Sequence, residues 1–398
     1  MTNSALPPDL AATRIINAAG TLTRLSGARV SPRVAAAMAE AAGQSFDMWT
    51  LQAAASERLA AATGAEAGLV TTGASAGLTL AAAAVIAGMD AGHMDRLPTT
   101  TGMPHEIIIP RTHRNAYDRA LRVAGAKIID VGVADRETGA GIRGLEAWEV
   151  EAAIGPMTVA IAASASNATE RDLPMLADVA GRNGLKLIVD AAAQLPPREN
   201  LKRFIALGAS LVVFSGGKAI GGPQASGLLV GERALIASAA LQMLDMDVRP
   251  EAFTPPPAFF ARLDVCAVPR HGLGRGFKAS KEAIVGLLVA LDEFLAADGD
   301  ANVAQISSRI TRIAAGLTSI GGVIATTVPG RPGALPRLEI AVDPAICPIR
   351  PAIARLASNG VHVAEGRIAD GILIVDLIAV TEDDDAHLLD ALRAALKP

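Results

Sequence analysis

Two apolar runs in this sequence each end on a group that can do chemistry. The run Leu211-Val212-Val213-Phe214-Ser215-Gly216-Gly217-Lys218 closes a β-branched strand pattern on Ser-Gly-Gly and then presents a lysine. By default such a lysine is a solvated loop charge. The two glycines, however, permit unusual backbone angles and close approach of a ligand, and the following Ala219-Ile220-Gly221-Gly222-Pro223 is uncharged. An amine in poorly solvated surroundings gives up its proton more readily and becomes a better nucleophile, as Schiff-base chemistry requires. Twenty-eight positions upstream, Leu187-Ile188-Val189-Asp190 ends a second strand pattern on a carboxylate. An Asp there ordinarily makes a turn or caps a helix. Beside a Schiff-base lysine it gains another use, because a carboxylate keeps a pyridine nitrogen protonated and the pyridinium stores carbanion electrons. The small residues Ala191-Ala192-Ala193 that follow would let a flat ring lie against the backbone.

Three further positions are weaker alone. Val70-Thr71-Thr72-Gly73-Ala74-Ser75-Ala76-Gly77 leads from a strand pattern into an Ala-rich helix pattern. Such a turn offers free backbone N–H groups, hydroxyls and the positive end of a helix dipole, which is an anion site. Any strand-to-helix turn offers much of this, and the run matches neither the Walker A nor the dinucleotide glycine spacing. His113 follows the strand pattern Ile107-Ile108-Ile109-Pro110; it is either a capping or surface histidine or an imidazole stacked on a cofactor ring. Asn167 is a turn residue or a partner for a phenolic oxygen. Phosphate turn, histidine, asparagine, strand-end Asp and glycine-flanked lysine nevertheless occur in the order expected for one site at a row of strand ends.

The elements that would hold these groups alternate. Strands are expected at Ala67–Thr71, Glu106–Pro110, Lys127–Val131, Val159–Ala163, Lys186–Asp190, Leu211–Ser215 and Gly227–Val230, with helices such as Ala74–Ala87, Asn115–Ala124 and Leu173–Asn183 between them. Near-continuous apolar strands separated by helices indicate a mainly parallel sheet buried on both faces, an α/β sandwich. Asp247 to Pro257 carries four prolines, so a loop falls there. Beyond it we expect helices near Ser280–Ala297 and at Val303–Ile320, Pro351–Ser358 and Asp384–Leu396, with strands at Arg337–Val342 and Ile372–Ala379. The division is an N-terminal arm (1–25), a large domain (26–270) and a smaller C-terminal α/β domain (271–398).

The 398 residues are 51% hydrophobic and 19% charged, a globular composition. A net charge of −4 with scattered basic residues gives no general attraction to nucleic acid or to an anionic membrane. Cys266 and Cys347 have no metal-type spacing and cannot build a disulfide framework, so no metal site and a reducing, cytoplasmic compartment are expected. No signal peptide is legible, and the most apolar stretch, Leu78 to Gly88, is too short to span a bilayer.

The sequence resembles the pyridoxal-phosphate-dependent enzymes of fold type I, in the class V aminotransferase-like branch. Within it the likeness is to the selenocysteine-synthase-like proteins, especially the D-glucosaminate-6-phosphate ammonia-lyase group. It is carried by Ile16-Asn17-Ala18-Ala19-Gly20-Thr21-Leu22-Thr23, Phe46-Asp47-Met48, Thr63-Gly64-Ala65-Glu66-Ala67, Thr72-Gly73-Ala74-Ser75-Ala76-Gly77, Val189-Asp190-Ala191-Ala192-Ala193-Gln194-Leu195-Pro196-Pro197, Phe214-Ser215-Gly216-Gly217-Lys218 and Gly274-Arg275-Gly276-Phe277-Lys278-Ala279-Ser280-Lys281-Glu282. The resemblance covers about residues 14–295 and fades beyond.

This resemblance implies an aspartate-aminotransferase-like large domain with pyridoxal 5'-phosphate bound to Lys218, which afterwards moves the α-proton. Asp190 would pair with the ring nitrogen, His113 stack on the ring, and Asn167 and Ala192 line it. Gly73, Ala74, Ser75 and Ser215 would hold the phosphate. Arg275 and Lys278 would bind an anion or form a basic helix start, and Arg367 would meet a substrate carboxylate. At least a homodimer is implied. No tRNA-binding N-terminal domain is recognisable, which with the acidic charge argues against selenium transfer to a charged tRNA.

Three outcomes are open. One is a lyase on an amino acid or amino sugar acid: α-proton abstraction, loss of a β-hydroxyl, and release of ammonia and a 2-keto acid. Another is a racemase, epimerase or transferase on the same cofactor. The third is a non-catalytic phosphate- or nucleotide-binding protein using Gly272-Leu273-Gly274-Arg275-Gly276, whose spacing is not the dinucleotide fingerprint.

Overall fold

The computed structural model describes residues 6–133, 144–166, 168–263, 265, 267–330 and 334–397. Its strands in chain order are β1 (Ile16–Ala18), β2 (Ala67–Thr71), β3 (Glu106–Pro110), β4 (Lys127–Val131), β5 (Thr158–Ser164), β6 (Lys186–Asp190), β7 (Leu211–Ser215), β8 (Gly227–Gly231), β9 (Val323–Val328), β10 (Arg337–Val342), β11 (Val361–Val363) and β12 (Ile372–Val375). The chain forms two compact units, Val30–Leu295 and Met1–Arg29 with Ala296–Pro398.

These bounds differ from the expected 26–270 and 271–398 for a physical reason at each end. The helix Lys281–Ala296 buries Ile284, Leu287, Leu288 and Leu291 in one core of the large sheet, so it belongs with that sheet. The N-terminal arm is not separate, because β1 pairs in parallel with β11 and Ala19 bridges to Asp376.

In the first unit the sheet order is β2-β8-β7-β6-β5-β3-β4. Only β8 runs against its neighbours β2 and β7; the other pairings are parallel. Each face carries its own core. One face is covered by the helices Ala74–Ala87 and Arg233–Met243, which contribute Leu78, Leu80, Ile236 and Leu241. The other is covered by Met48–Thr63, Leu173–Arg182, Asn200–Ala206 and Lys281–Ala296, with Leu59, Leu176, Phe204 and Leu287. Burial on both faces is why the strand sequences run apolar without alternation.

The helix Ala74–Ala87 is rich in Ala and carries no charged residue because it is buried nearly all round. It lies so close to the sheet that a Cβ at Gly77 would stand 3.0 Å from Val213 Cγ1. Its start is fixed by Gly73, whose φ of +128° is open to glycine and strained for other residues.

The second unit holds an antiparallel sheet β12-β10-β9 and the β1-β11 pair around Ile310, Leu338, Ile340, Leu356 and Leu392. Here the chain departs from several expectations. The helix expected at Val303–Ile320 is Gly299–Ala315, started by Asp298, whose carboxylate accepts from the N–H groups of Asp300 and Ala301. The strand expected to reach Ala379 stops at Val375, because the Asp376 carboxylate accepts from Ile378 N and turns the chain into a 3₁₀ helix. In the first unit the helix expected at Asn115–Ala124 is a 3₁₀ turn, Ala116–Asp118, capped by Asn115, followed by a short α-helix, Arg119–Val123.

Candidate active site

Strand alternation and register bring most of the singled-out residues together. On β6, Lys186, Ile188 and Asp190 point to one face, and Ile188 packs in the core beneath the helix Ala74–Ala87. Asp190 therefore faces that helix layer at the carboxyl end of its strand. Ser164 of β5, Asp190 and Val213 of β7 form one row across the sheet. Thr71 of β2, Gly227 of β8 and Ser215 of β7 form a second row at the same end. Carboxyl ends of parallel strands are where open α/β sheets bind ligands.

The loop after β7 is held in a tight turn. Gly216 N donates to Ser226 O and Gly222 N to Gly216 O, both at 2.9 Å, and Gly221 N donates to Lys218 O at 2.9 Å. A Cβ at Gly216 would lie 2.3 Å from Ser226 Oγ, and one at Gly217 would lie 2.7 Å from the Gln224 backbone, so both glycines are required by close packing. The turn places Lys218 near enough to Asp190 for each to feel the other's charge. Burial pushes the Lys218 amine below the usual lysine range, while the Asp190 carboxylate opposes the shift. Burial pushes Asp190 upward, opposed by the N–H of Ala192 and by the charge of Lys218. Ala192 N donates to Asp190 Oδ1 at 3.1 Å, which leaves the other carboxylate oxygen open to a further donor.

The turn expected to bind an anion starts the helix that covers the same face. Thr71 Oγ1 donates to Gly73 O at 2.9 Å and Thr72 Oγ1 to Phe277 O at 3.0 Å. A Cβ at Gly227 would lie 2.6 Å from Gly73 C and 2.8 Å from Ala74 N, so the turn rests directly on the start of β8. Nothing stands within 4 Å of the Gly73 Cβ position.

His113 lies in the short 3₁₀ turn after β3 and is 3% exposed. Its Nε2 is 3.1 Å from Asp172 Oδ2, and its Nδ1 is buried without a hydrogen-bond partner. Burial holds the imidazole below its ordinary pKa; the Asp172 carboxylate and the nearby Ser164 carbonyl resist this. His113, Asn115, Ser164 and Asp190 line one pocket, floored by Leu78, Ile109, Ala162 and Ile188.

Other expected residues stand differently. Arg275 pairs with the Asp245 carboxylate, and Arg367, in the second unit, with Glu339 at 2.6 Å and Asp370 at 3.0 Å. Lys278 is exposed and follows Phe277, whose carbonyl is tied to Thr72. Asn167 lies outside the described residues. Gly272 and Gly274 do not form an open cradle: a Cβ at Gly272 would strike Gln242 Cα at 2.3 Å, and one at Gly274 would strike Leu80 Cδ2 at 2.6 Å. Asp172, Asn115 and Ser164 carry no signal in the sequence; Asp172, just before Leu173-Pro174, reads as a helix cap. Among the described residues no cluster of His, Cys, Asp and Glu is arranged to hold a metal, and no helix is long and apolar enough to cross a membrane.

The residues present fit a flat, anionic pyridine aldehyde. Asp190 has an oxygen to spare for a ring N–H, His113 offers an unpartnered nitrogen, and the glycine-built turn leaves open space beside free N–H groups.

Comparison with known proteins agrees. The family model of L-seryl-tRNA selenium transferase matches residues 156–254. The chain is 27% identical to a D-glucosaminate-6-phosphate ammonia lyase of Salmonella typhimurium over 393 residues, covering 96% of this chain and 95% of that protein. It is 29% identical to a 5'-C-glycyluridine monooxygenase-decarboxylase of a Streptomyces species, over 96% of this chain and 90% of that one. A solved D-glucosaminate-6-phosphate ammonia-lyase superposes with a TM-score of 0.80 at 26% identity, over 100% of this chain and 99% of the other. The fold is the aspartate-aminotransferase-like one, and the chain is similar to pyridoxal-phosphate-dependent enzymes of the selenocysteine-synthase-like group.

Proposed function

We propose that this enzyme is an ammonia-lyase acting on a β-hydroxy amino acid or amino sugar acid, with pyridoxal phosphate carried on Lys218. The observation that carries the reading is the pair of Lys218 and Asp190 at neighbouring strand ends, each driven toward neutrality by burial and restrained by the other's charge. Bound there, the cofactor supplies an electron sink next to the substrate Cα.

The chain's own groups do the rest. Gly73, Ala74 and Ser75, with Ser215, would hold the phosphate, Asp190 would receive the ring N–H, His113 would cover the ring, and Asn167 and Ala192 are assigned to it by resemblance alone. Lys218, once displaced by the substrate amine, is a poorly solvated base that takes the proton from Cα. The same ammonium then lies on the side where the β-hydroxyl departs, and its proton leaves with that hydroxyl as water. The released enamine takes water back and yields ammonia and a 2-keto acid, so the balance is substrate to keto acid plus ammonia. The names of both full-length relatives describe an amino acid joined to a sugar-derived frame, which supports an amino sugar acid as substrate.

A panel of D- and L-β-hydroxy amino acids and amino sugar acids, with and without phosphate, tests the reading. Equimolar ammonia and keto acid from one member are expected, together with a visible cofactor band that Lys218→Ala abolishes. α-Proton exchange with solvent deuterium without ammonia points to a racemase, and oxygen uptake with carbon dioxide release to a monooxygenase-decarboxylase. Either result displaces the lyase reading.

A further inference from the structure

We propose that Asp172 is a positioning residue of this site: its bond to Nε2 holds His113 in the tautomer that keeps Nδ1 bare, and it provides the counter-charge when the ring takes up a proton. The inference rests on the reading that places His113 against the cofactor.

Several observations converge. Asp172 stands just before the helix Leu173–Arg182, where an aspartate ordinarily caps the first turn. Here its side chain makes no capping bond. It reaches instead to His113, and the two side chains are 10% and 0% exposed. A carboxylate next to a ring nitrogen fixes a proton on it, so neutral His113 carries its hydrogen on Nε2 and a lone pair on Nδ1. Nδ1 is buried without a hydrogen-bond partner, and the Ser164 carbonyl lies near enough to the ring to favour its protonated form. A bare acceptor in a dry site is satisfied when a proton arrives, or when a substrate or cofactor brings an O–H or N–H.

The surroundings are arranged for that event. Ser164 is held by Thr169 Oγ1, which donates to its carbonyl at 2.5 Å, and Asp172 N donates to Thr169 O at 3.0 Å. Both groups facing the ring thus share one turn. The other charges around it are already engaged. Arg114 pairs with Asp118 and Asp130, Asp190 faces Lys218, and exposed Arg171 stands 3.6 Å from Asp172. Asp172 is accordingly the anion in hydrogen-bond contact with the imidazole.

The test reads the imidazole directly. In protein labelled with 15N-histidine and loaded with pyridoxal phosphate, His113 is assigned by its loss in His113→Gln. Long-range 1H–15N spectra are expected to show Nε2 protonated and Nδ1 bare. Asp172→Ala should mix the tautomers. Asp172→Asn, whose amide oxygen can still accept from Nε2, should keep the tautomer but lower the His113 pKa by about one unit or more. In steady state Asp172→Asn should lose about 10–100-fold in kcat with little change in KM, the scale for outer carboxylates behind functional histidines. The acid limb of its pH profile should move to lower pH.

Unchanged His113 spectra in Asp172→Ala, in protein of wild-type circular dichroism, overturn the inference. Altered spectra with unchanged turnover and pH profile also overturn it, since the pair then positions nothing for the reaction. Both outcomes leave the visible Lys218 cofactor band in place. Failure of the lyase reading is distinct, because it appears as absent turnover in the wild type.

Discussion

His113 is the titratable group in which burial and hydrogen bonding disagree most usefully. Burial favours the neutral ring and outweighs the Asp172 carboxylate, so the folded-state pKa lies below the ordinary value. A group with a depressed folded pKa contributes stability that is complete above its unfolded value, near 6.5, and is lost as pH falls through the folded one. Acidification from about pH 7.5 to about pH 5 should therefore cost the wild type more than His113→Gln, by about 1 kcal/mol. Urea denaturation of both proteins at the two pH values measures this; parallel losses would mean that the ring titrates in the fold as it does in solvent. Lys218 and Asp190 drew notice in the sequence because Asp190 ends one apolar strand and Lys218 follows another by three residues. The partner of His113 did not. Asp172 is 59 residues away in sequence and looks like any acidic residue ahead of a helix. Only the fold of the Ser164–Asp172 turn brings the two together.

Whole elements were easier to read where both faces of the sheet are buried. β2, β3, β6 and β7, buried along most of their length, have the bounds the sequence suggests, and so does β4, half-exposed at the far edge of the sheet. β9, a Val-Ile-Ala-Thr-Thr-Val run with no buried residue, and the three-residue β1 and β11 escaped notice. The antiparallel entry of β8 was also hidden, since buried strands look alike in either direction. Its position makes β2 the sheet edge, and the chain handles that edge in an unusual way. Gln52, fully buried, donates from Nε2 to Val70 O at 2.9 Å and accepts from Val70 N at 3.1 Å. Ser56, one helical turn later, accepts from Gly68 N at 3.0 Å. Two side chains of the helix Met48–Thr63 thus take the place of a further strand and cover an edge that would otherwise offer unpaired backbone groups. Gln52→Leu keeps the volume and strands one donor and one acceptor, so it should lower unfolding free energy by about 2–4 kcal/mol. The helix runs along the β2 edge, and none of its residues lines the pocket of His113 and Asp190. Gln52→Leu should therefore keep cofactor absorbance at temperatures where the protein remains folded, and a loss of less than about 0.5 kcal/mol would show that water replaces the amide.

At the scale of the molecule, the family likeness raises the question of a nucleic-acid partner. The model matched at residues 156–254 is that of a transferase acting on a charged tRNA. Binding to nucleic acid needs a surface on which several Lys and Arg side chains stand free to displace counterions. This chain has 36 basic against 40 acidic residues. Many of its arginines are paired locally with carboxylates: Arg58 with Asp292, Arg182 with Glu151 and Asp178, Arg203 with Glu170, and Arg312 with Asp385. Each exposed pair adds little stability, but together they leave positive charge dispersed and compensated. We therefore expect labelled seryl-tRNA to show no saturable anisotropy change at physiological salt, with any Kd weaker than about 10⁻⁴ M, the upper end for non-specific binding. A micromolar Kd that falls steeply with added salt would demand a basic surface, and with it a macromolecular rather than a small-molecule substrate.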